Sequence, residues 1–309
     1  TVTRRGRHIV VARYLGWVIP TELFVPLGDD AVDLSQQPRH SFIDEEILRT
    51  LGNLRVLPSA MADDATFHRR VTLDLTGRLP TPEEIDSYVA ITAADKREQL
   101  VDRLLASEAF VESWAMRLGR LLRLRSQYDK NKITITPTTV RTYHSWITEQ
   151  LRKGTGYDQI AQALLTATGD SEAVGPAGFY NTAEDALLQT EFMTEVFLGS
   201  RMRCANCHNH PLDKWTQDDF HGLAAIFAKV TRGTTVRVSP LGKTVHPQTG
   251  QPAQMRIPGV RFLPADTKDG RTALAEWVTS EDNPYFAKAI VNRLWQTMMG
   301  RGLVEPVDD

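Results

Sequence analysis

This chain lacks long hydrophobic runs and has no excess of charge of either sign. The formal net charge of its 309 residues is −2, so no overall field favours nucleic acid or an anionic membrane as a partner. The longest apolar candidate, residues 9–27, is interrupted by Arg13, Pro20 and Glu22. A bilayer span needs about 20 apolar residues, so neither a membrane span nor nucleic-acid binding is predicted.

Cysteine is equally scarce, because the chain holds only Cys204 and Cys207. Two thiols separated by two residues exclude a disulfide framework spread over the fold. The sequence shows no internal repeat, and no paired carboxylates or nucleophile with a base single out an enzymatic reaction. Its composition of 41% hydrophobic and 24% charged residues predicts one large or two ordinary globular domains.

The pattern of apolar residues changes along the chain, and each change predicts a boundary. Alternation with a turn at Leu15-Gly16 is typical of a hairpin, whereas spacings of three and four indicate helices. The predicted segments are a β-hairpin (1–28), a linker (29–40), a helical domain (41–230), a β-ribbon insertion (231–264) and a second helical region (265–309). We therefore predict a mainly α fold with a short N-terminal β-hairpin and a β-ribbon insertion.

Several predicted helices begin with recognisable caps. Thr81-Pro82-Glu83-Glu84 combines a capping box with proline at the first helical position, which predicts a helix from residue 82. Thr216 is predicted to begin another helix. Asn181 or Thr182 is predicted to cap a helix that stops near Gly199.

The run Cys204-Ala205-Asn206-Cys207-His208 carries the chain's most concentrated chemistry. In this CxxCH pattern each thiol adds to a vinyl group of haem, which brings the adjacent imidazole beneath the iron. We predict covalent haem c with His208 as proximal ligand, one-electron transfer, and redox proteins as partners. A zinc site made from Cys204, Cys207 and two of His208, His210 and His221 stays open as an alternative.

Other residues are candidates for completing this site. Met255 lies in a loop downstream of the motif and is predicted as the distal iron ligand. Arg201 and Arg203 flank the motif, where their guanidinium groups suit haem propionates. Trp215 is expected either to pack on the porphyrin edge or to be a core residue.

Plainer roles are expected for histidines outside the motif. His221 lies near the start of a predicted helix, where the alternative to metal binding is an exposed polar residue. His68 and His144 each lie on a predicted helix, and we expect structural histidines with satisfied hydrogen bonds.

Four further runs of residues, outside the CxxCH motif, carry a resemblance to a known protein family. They are Ala62-Asp63-Asp64-Ala65-Thr66-Phe67-His68-Arg69-Arg70, Leu73-Asp74-Leu75-Thr76-Gly77-Arg78-Leu79-Pro80-Thr81, Phe197-Leu198-Gly199 and Asp213-Lys214-Trp215-Thr216. Together with the motif they resemble the planctomycete cytochrome-like family, exported proteins with paired domains of unknown function. The resemblance covers about residues 41 to 309, and runs between Arg271 and Pro306 look like the opening of the family's second domain.

The resemblance implies export, to the periplasm or beyond, and a haem label. The N-terminal hairpin looks like the last strands of a bacterial Ig-like module, so other domains of the same polypeptide are also expected as partners. A second hypothesis follows, in which the chain is a structural module of an exported multidomain assembly and haem or zinc braces its fold.

Overall fold

The computed structural model describes residues 3–14, 17–124, 127–129 and 132–308. The chain divides into two compact units, one made of Thr1–Asp63 with Leu212–Lys214 and the other of Asp64–Pro211 with Trp215–Asp309. Within the described residues, no helix combines the length and the apolar character that crossing a bilayer requires.

The first unit contains the predicted hairpin. Strand β1 (Gly6–Tyr14) pairs antiparallel with β2 (Trp17–Val25), which confirms the hairpin, while its predicted turn at Leu15-Gly16 lies outside the described residues. Helix α1 (Phe42–Leu54) follows. The amide of Leu27 donates to the carbonyl of the last residue of α1 at 2.8 Å, so the segment after β2 is tied to that helix.

The second unit is mostly helical. Its α-helices are α2 (Asp64–Thr76), α3 (Pro82–Val89), α4 (Lys96–Leu105), α5 (Glu108–Leu121), α6 (Pro137–Arg152), α7 (Tyr157–Thr166), α8 (Ala186–Met193), α9 (Gln217–Ala228), α10 (Arg271–Val278) and α11 (Phe286–Met299). Two 3-10 helices, Gly175–Asn181 and Met202–Asn206, and a π-helical turn, Thr194–Leu198, complete it.

Short strands occur in the region predicted as a β-ribbon, 231–264, and also upstream of it. Strands β3 (Gln127–Asp129) and β4 (Lys132–Ile135) form one pair, β5 (Gly169–Asp170), β6 (Val230–Thr231) and β7 (Thr235–Val238) form a sheet in the order β5-β7-β6, and β8 (Arg256–Ile257) pairs with β9 (Arg261–Phe262). The structure confirms a mainly α fold with a hairpin and a small ribbon. The sheet of β6 and β7 also includes β5, which lies far upstream in the sequence.

Local capping chemistry explains most helix starts. Thr81 accepts from the Glu84 amide at 3.2 Å, which confirms the predicted start of α3. The cap predicted at Asn181 or Thr182 is wrong. That segment ends a 3-10 helix, and α8 is instead capped by Asp185, whose side chain accepts from the Leu188 amide at 2.9 Å.

The main core of the second unit combines aliphatic side chains with a group of buried aromatic rings. Phe179, Phe197 and Phe227 are fully buried, and burying one such side chain contributes about 1.5 to 3 kcal/mol. A smaller separate cluster consists of Met202, Ala205, Trp215 and Phe220. The predicted CxxCH motif belongs to this smaller cluster, because Met202 and Ala205 lie within its turn.

The buried carboxylate of Asp219 joins three segments at the start of α9. Its Oδ2 accepts from the amide and hydroxyl of Thr216 at 3.0 and 2.8 Å. Its Oδ1 accepts from Arg256 Nε and from the Gly259 amide, both at 2.7 Å. Burial alone would raise the pKa of Asp219, but these hydrogen bonds lower it below its ordinary value. The carboxylate therefore stays charged and fixes the β8–β9 loop to α9.

We expect Asp219→Asn to lower the free energy of unfolding by about 3 kcal/mol, because breaking a buried ion pair leaves its partner uncompensated. Urea unfolding followed by circular dichroism measures this change. Asp102→Asn, an exposed carboxylate on α4, serves as the control. Equal stability of the two variants would contradict the role given to Asp219.

The pair between Arg78 and Glu84 predicts a pH dependence. Arg78 donates to both carboxylate oxygens at 3.0 Å, and this bond, with one from the Thr81 amide, lowers the pKa of Glu84 from 4.5 to about 2. A carboxyl with a lowered pKa in the folded state stabilises the fold above its unfolded pKa, and that contribution disappears as the pH falls.

The free energy of unfolding of the wild type should therefore exceed that of Glu84→Gln most strongly above pH 4.5. This difference should shrink as the pH approaches about 2. Urea midpoints measured across this range test the prediction. Glu98→Gln, which changes an exposed carboxylate on α4 outside the pair, is the control. A pH-independent difference for Glu84→Gln would show that the pair contributes nothing.

Candidate functional site

The CxxCH motif forms a short helical turn at the surface. Cys204 lies in the 3-10 helix Met202–Asn206, and its carbonyl accepts from the amides of Cys207 and His208, both at 3.3 Å. Cys204 and Cys207 are free and exposed, and His208 is exposed as well. The turn therefore presents all three predicted haem-binding side chains on the outside.

Apolar anchors hold this turn from below. Met202 and Ala205 are buried against Trp215 and Phe220. The Trp215 indole N–H donates to the Ser200 hydroxyl at 2.7 Å, so the ring is fixed by a hydrogen bond as well as by packing. Trp215 is thus a core residue beneath the turn, one of the two roles expected for it.

The turn is also attached to the start of α9. The Gln217 amide donates to Asn209 Oδ1 at 3.1 Å, and His221 Nε2 lies 2.9 Å from the Asn206 carbonyl oxygen. Gln217 and His221 both lie in the first two turns of α9. Because Asp219 caps the same helix start, the motif rests on a segment that is itself fixed at several points.

His208 has the hydrogen bonding that an iron ligand requires. Its Nδ1 lies 2.8 Å from the carbonyl oxygen of Asn209, and since a carbonyl only accepts, Nδ1 carries the proton. The lone pair of a neutral imidazole then sits on Nε2. A metal-binding histidine commonly donates its other N–H to a carbonyl in this way, so two exposed thiols and a correctly protonated imidazole fit a covalent haem.

His221 is buried, contrary to the expectation of an exposed polar residue. Its side chain is 2% exposed, and burial, the largest effect, lowers its pKa. Nε2 donates to Asn206, so Nδ1 carries the lone pair and has no hydrogen-bond partner. The ring lies 5.1 Å from that of His246, whose Nε2 is 3.2 Å from Asp218 Oδ1. His221 therefore positions the motif from the inside.

The zinc alternative stays a prediction, and two of its candidate histidines make other contacts in this structure. His210 is buried, and its amide donates to the Trp215 carbonyl at 2.8 Å. Nε2 of His221 is directed to a carbonyl rather than to the thiols. Across the described ranges, no three side chains of histidine, cysteine, aspartate or glutamate come together in a metal-binding group.

The flanking arginines contact acidic residues of the chain. Arg201 donates to both carboxylate oxygens of Asp308 at 2.8 Å, so a propionate would compete with this pair. Arg203 lies 4.0 Å from Glu191, and 81% of its side chain is exposed. Arg203 is thus the more accessible of the two candidates for binding a propionate.

Met255 lies in the main core rather than in the cluster beneath the motif. It is largely buried, and a Cβ built on Gly270 would lie only 2.9 Å from its sulfur. The sulfur is therefore packed against Gly270, where the missing side chain leaves room for it. Its assignment as the distal ligand stays a prediction.

Sequence reasoning missed several residues that build the site. Asp219 was detectable, because Thr216 and a carboxylate three residues later form a capping box. Asn206 lies within the motif run, yet its role depends on the position of α9. His246 had no local signal, since it is brought beside His221 by the loop between β7 and β8.

Comparison with known proteins agrees with this architecture. Residues 42–232 match PSCyt2, described as a protein of unknown function (DUF1549), and residues 270–309 match PSD1, described as a protein of unknown function (DUF1553). These are the paired domains typical of planctomycete-like proteins. No curated protein and no solved structure matches the chain. Because the first match covers more than half of its length, the chain belongs to the PSCyt2 (DUF1549) family.

Proposed function

We propose that the chain is a c-type cytochrome-like protein in which Cys204 and Cys207 hold one haem through thioether bonds and His208 binds its iron. Each thiol adds across one vinyl double bond, so sulfur and hydrogen both end on the former vinyl group and nothing leaves. When bound, the haem supplies a one-electron carrier.

The hydrogen bond between His208 and the Asn209 carbonyl is the observation that carries the proposal. The carbonyl of Asn209 accepts from Nδ1 at 2.8 Å, which orients the ring and leaves the Nε2 lone pair for iron. A hydrogen bond from the second ring nitrogen is a common way of orienting a histidine that binds a metal. An exposed histidine without such a partner would rotate freely and exchange its two nitrogens.

The surrounding residues keep the motif in one conformation. Met202 and Ala205 anchor the turn from inside, while Asn209 and His221 attach it to α9. A preformed turn costs less conformational entropy when the cofactor binds. Its exposed position suits electron exchange with other redox proteins or with other domains of the same polypeptide, and this function places the chain in the periplasm or another exported location.

We expect protein matured in a periplasm with cytochrome c assembly machinery to stain for haem on a denaturing gel and to give a c-type visible spectrum. Cys204→Ser with Cys207→Ser should abolish the stain, because no thioether bond can form. His208→Ala should change the spectrum, whereas His144→Ala, which replaces an exposed histidine on α6, should not. Wild-type protein without covalent haem would refute the proposal.

Electron transfer further predicts reversible one-electron reduction with a saturated iron. A spectroelectrochemical titration in the presence and absence of carbon monoxide measures both properties. We expect one reversible transition and no carbon monoxide adduct. An adduct would instead indicate an open iron and favour a haem enzyme.

A structural module is the second candidate, in which a bound group braces the fold. Met202, Ala205, Trp215 and Phe220 form a close-packed cluster from protein side chains alone. If a bound group only braces the fold, its loss must lower stability. We expect the double serine variant to unfold at the same urea concentration as the wild type. A markedly lower urea midpoint in that variant, together with an irreversible redox response of the wild type, would favour the structural module.

A further inference from the structure

A cavity lies where α5, α6, α7 and α11 meet in the second unit. It measures about 410 Å³, which falls within the range of small-molecule sites. Part of its lining, within 114–160, belongs to the region that matches PSCyt2, and the rest, within 290–307, belongs to the region that matches PSD1. The cavity therefore lies at the junction of the two family domains, a common place for ligand sites. None of the residues proposed to hold haem lines it.

Most of the cavity wall is hydrocarbon. All four helices contribute aliphatic side chains, which are Leu118, Leu121, Leu151, Ile160, Ile290 and Leu294. Residues three or four positions apart share one face of a helix, so α5 and α11 each present a pair of them to the cavity. Moving a hydrocarbon chain from water to such a wall is favourable, and the wall therefore favours a ligand that has one.

The charged side chains of the lining are all cations. They are Arg117 on α5 and Arg293 on α11, and no aspartate or glutamate is among the lining residues that the structure describes. Within the described part of the chain, neither arginine forms an ion pair. Charged groups that leave water are normally paired, so an anion from outside the protein is the partner that this lining lacks.

Arg117 is the cation that a ligand can reach. Its side chain is half-buried, and its Cζ lies 4.9 Å from the centroid of the Trp114 ring, so the planar group is held over the indole. Only Nη1 is enclosed without an acceptor, whereas Nε and Nη2 are not enclosed. These two nitrogens form the side edge of the guanidinium, and such an edge matches a carboxylate with two parallel hydrogen bonds.

Arg293 adds positive charge from the opposite wall. Its Nη1 donates to the Val196 carbonyl at 2.8 Å, and its Nη2 donates to the Glu195 carbonyl. Burial, the largest effect, lowers the pKa of Arg293, while Tyr157, Asp308 and Glu195 oppose it. Both of these carboxylates are already paired with other arginines. The cavity thus carries two cations and no lining acid, which favours a ligand with a negative head.

The walls of the cavity are held in place by contacts within the protein. The rings of Phe110 and Trp114 lie 5.7 Å apart, and Tyr157 is stacked on Phe286 at 5.2 Å. The two bonds of Arg293 tie α11 to the π-helical turn. A preformed site costs less conformational entropy when its ligand binds.

We propose that this cavity binds an amphipathic carboxylate, that is, a fatty-acid anion. The carboxylate pairs with Nε and Nη2 of Arg117, and the hydrocarbon chain lies against the leucine and isoleucine side chains of α5, α7 and α11. The site is independent of haem attachment, and it gives the chain a lipid-binding activity beside the proposed electron transfer.

Isothermal titration calorimetry of the whole chain with three probes tests the ligand class. Decanoate carries a carboxylate on a hydrocarbon chain, decyltrimethylammonium carries a cationic head on the same length of chain, and butyrate carries the carboxylate on a short chain. All are used below the concentrations at which they form micelles. We expect decanoate to bind at least about tenfold more tightly than either of the others. Absence of decanoate binding, or equally tight binding of either other probe, would overturn the proposal.

Paired variants test the location. Arg117→Met should weaken decanoate binding about tenfold and remove the preference over decyltrimethylammonium, and Leu294→Gln should weaken decanoate binding by a similar factor. The controls are Arg120→Met, an exposed arginine on α5, and Val291→Gln, an exposed valine on α11, neither of which lines the cavity. Circular dichroism checks that each variant folds. Equal losses in the variants and their controls, or no loss in any of them, would refute binding at this cavity.

Discussion

The charge of Asp219 is the constraint on which the candidate haem site depends. One carboxylate caps α9, holds Arg256 and binds the Gly259 amide, so a helix start and a distant loop are fixed by a single buried group. The CxxCH turn contacts the same helix start through Asn209 and His221. The position of the thiols therefore depends on this electrostatic network as well as on the apolar anchors Met202 and Ala205.

This arrangement separates the rigid part of the site from its reactive part. Hydrogen bonds and apolar anchors lie inside, whereas both thiols and His208 lie outside. Such a division would suit covalent attachment, because protein side chains alone pack the inside of the turn. The electron-carrier hypothesis and the structural-module hypothesis share these buried contacts. They differ only in whether the exposed side chains are used for redox chemistry.

Features that depend on a few neighbouring residues could be predicted from the sequence. The capping runs at Thr81 and Thr216, the hairpin and the mainly helical fold are of this kind. Predictions of caps failed where several residues could occupy the same cap position. Predictions of burial failed where segments distant in sequence pack together. Asn181, Thr182 and Asp185 are all good caps, and only packing selects Asp185. The burial of His221 depends on a loop far away in sequence, so local pattern could not reveal it.

The most direct test is peptide mass spectrometry of protein matured with the cytochrome c assembly machinery. Trypsin should cleave after Arg203 and Lys214 and release one peptide that contains Cys204, Cys207 and His208. We predict that this peptide carries one haem and that neither cysteine then reacts with an alkylating reagent. A peptide with two free thiols, or with a disulfide between them, would contradict the assignment of this motif as a haem-attachment site.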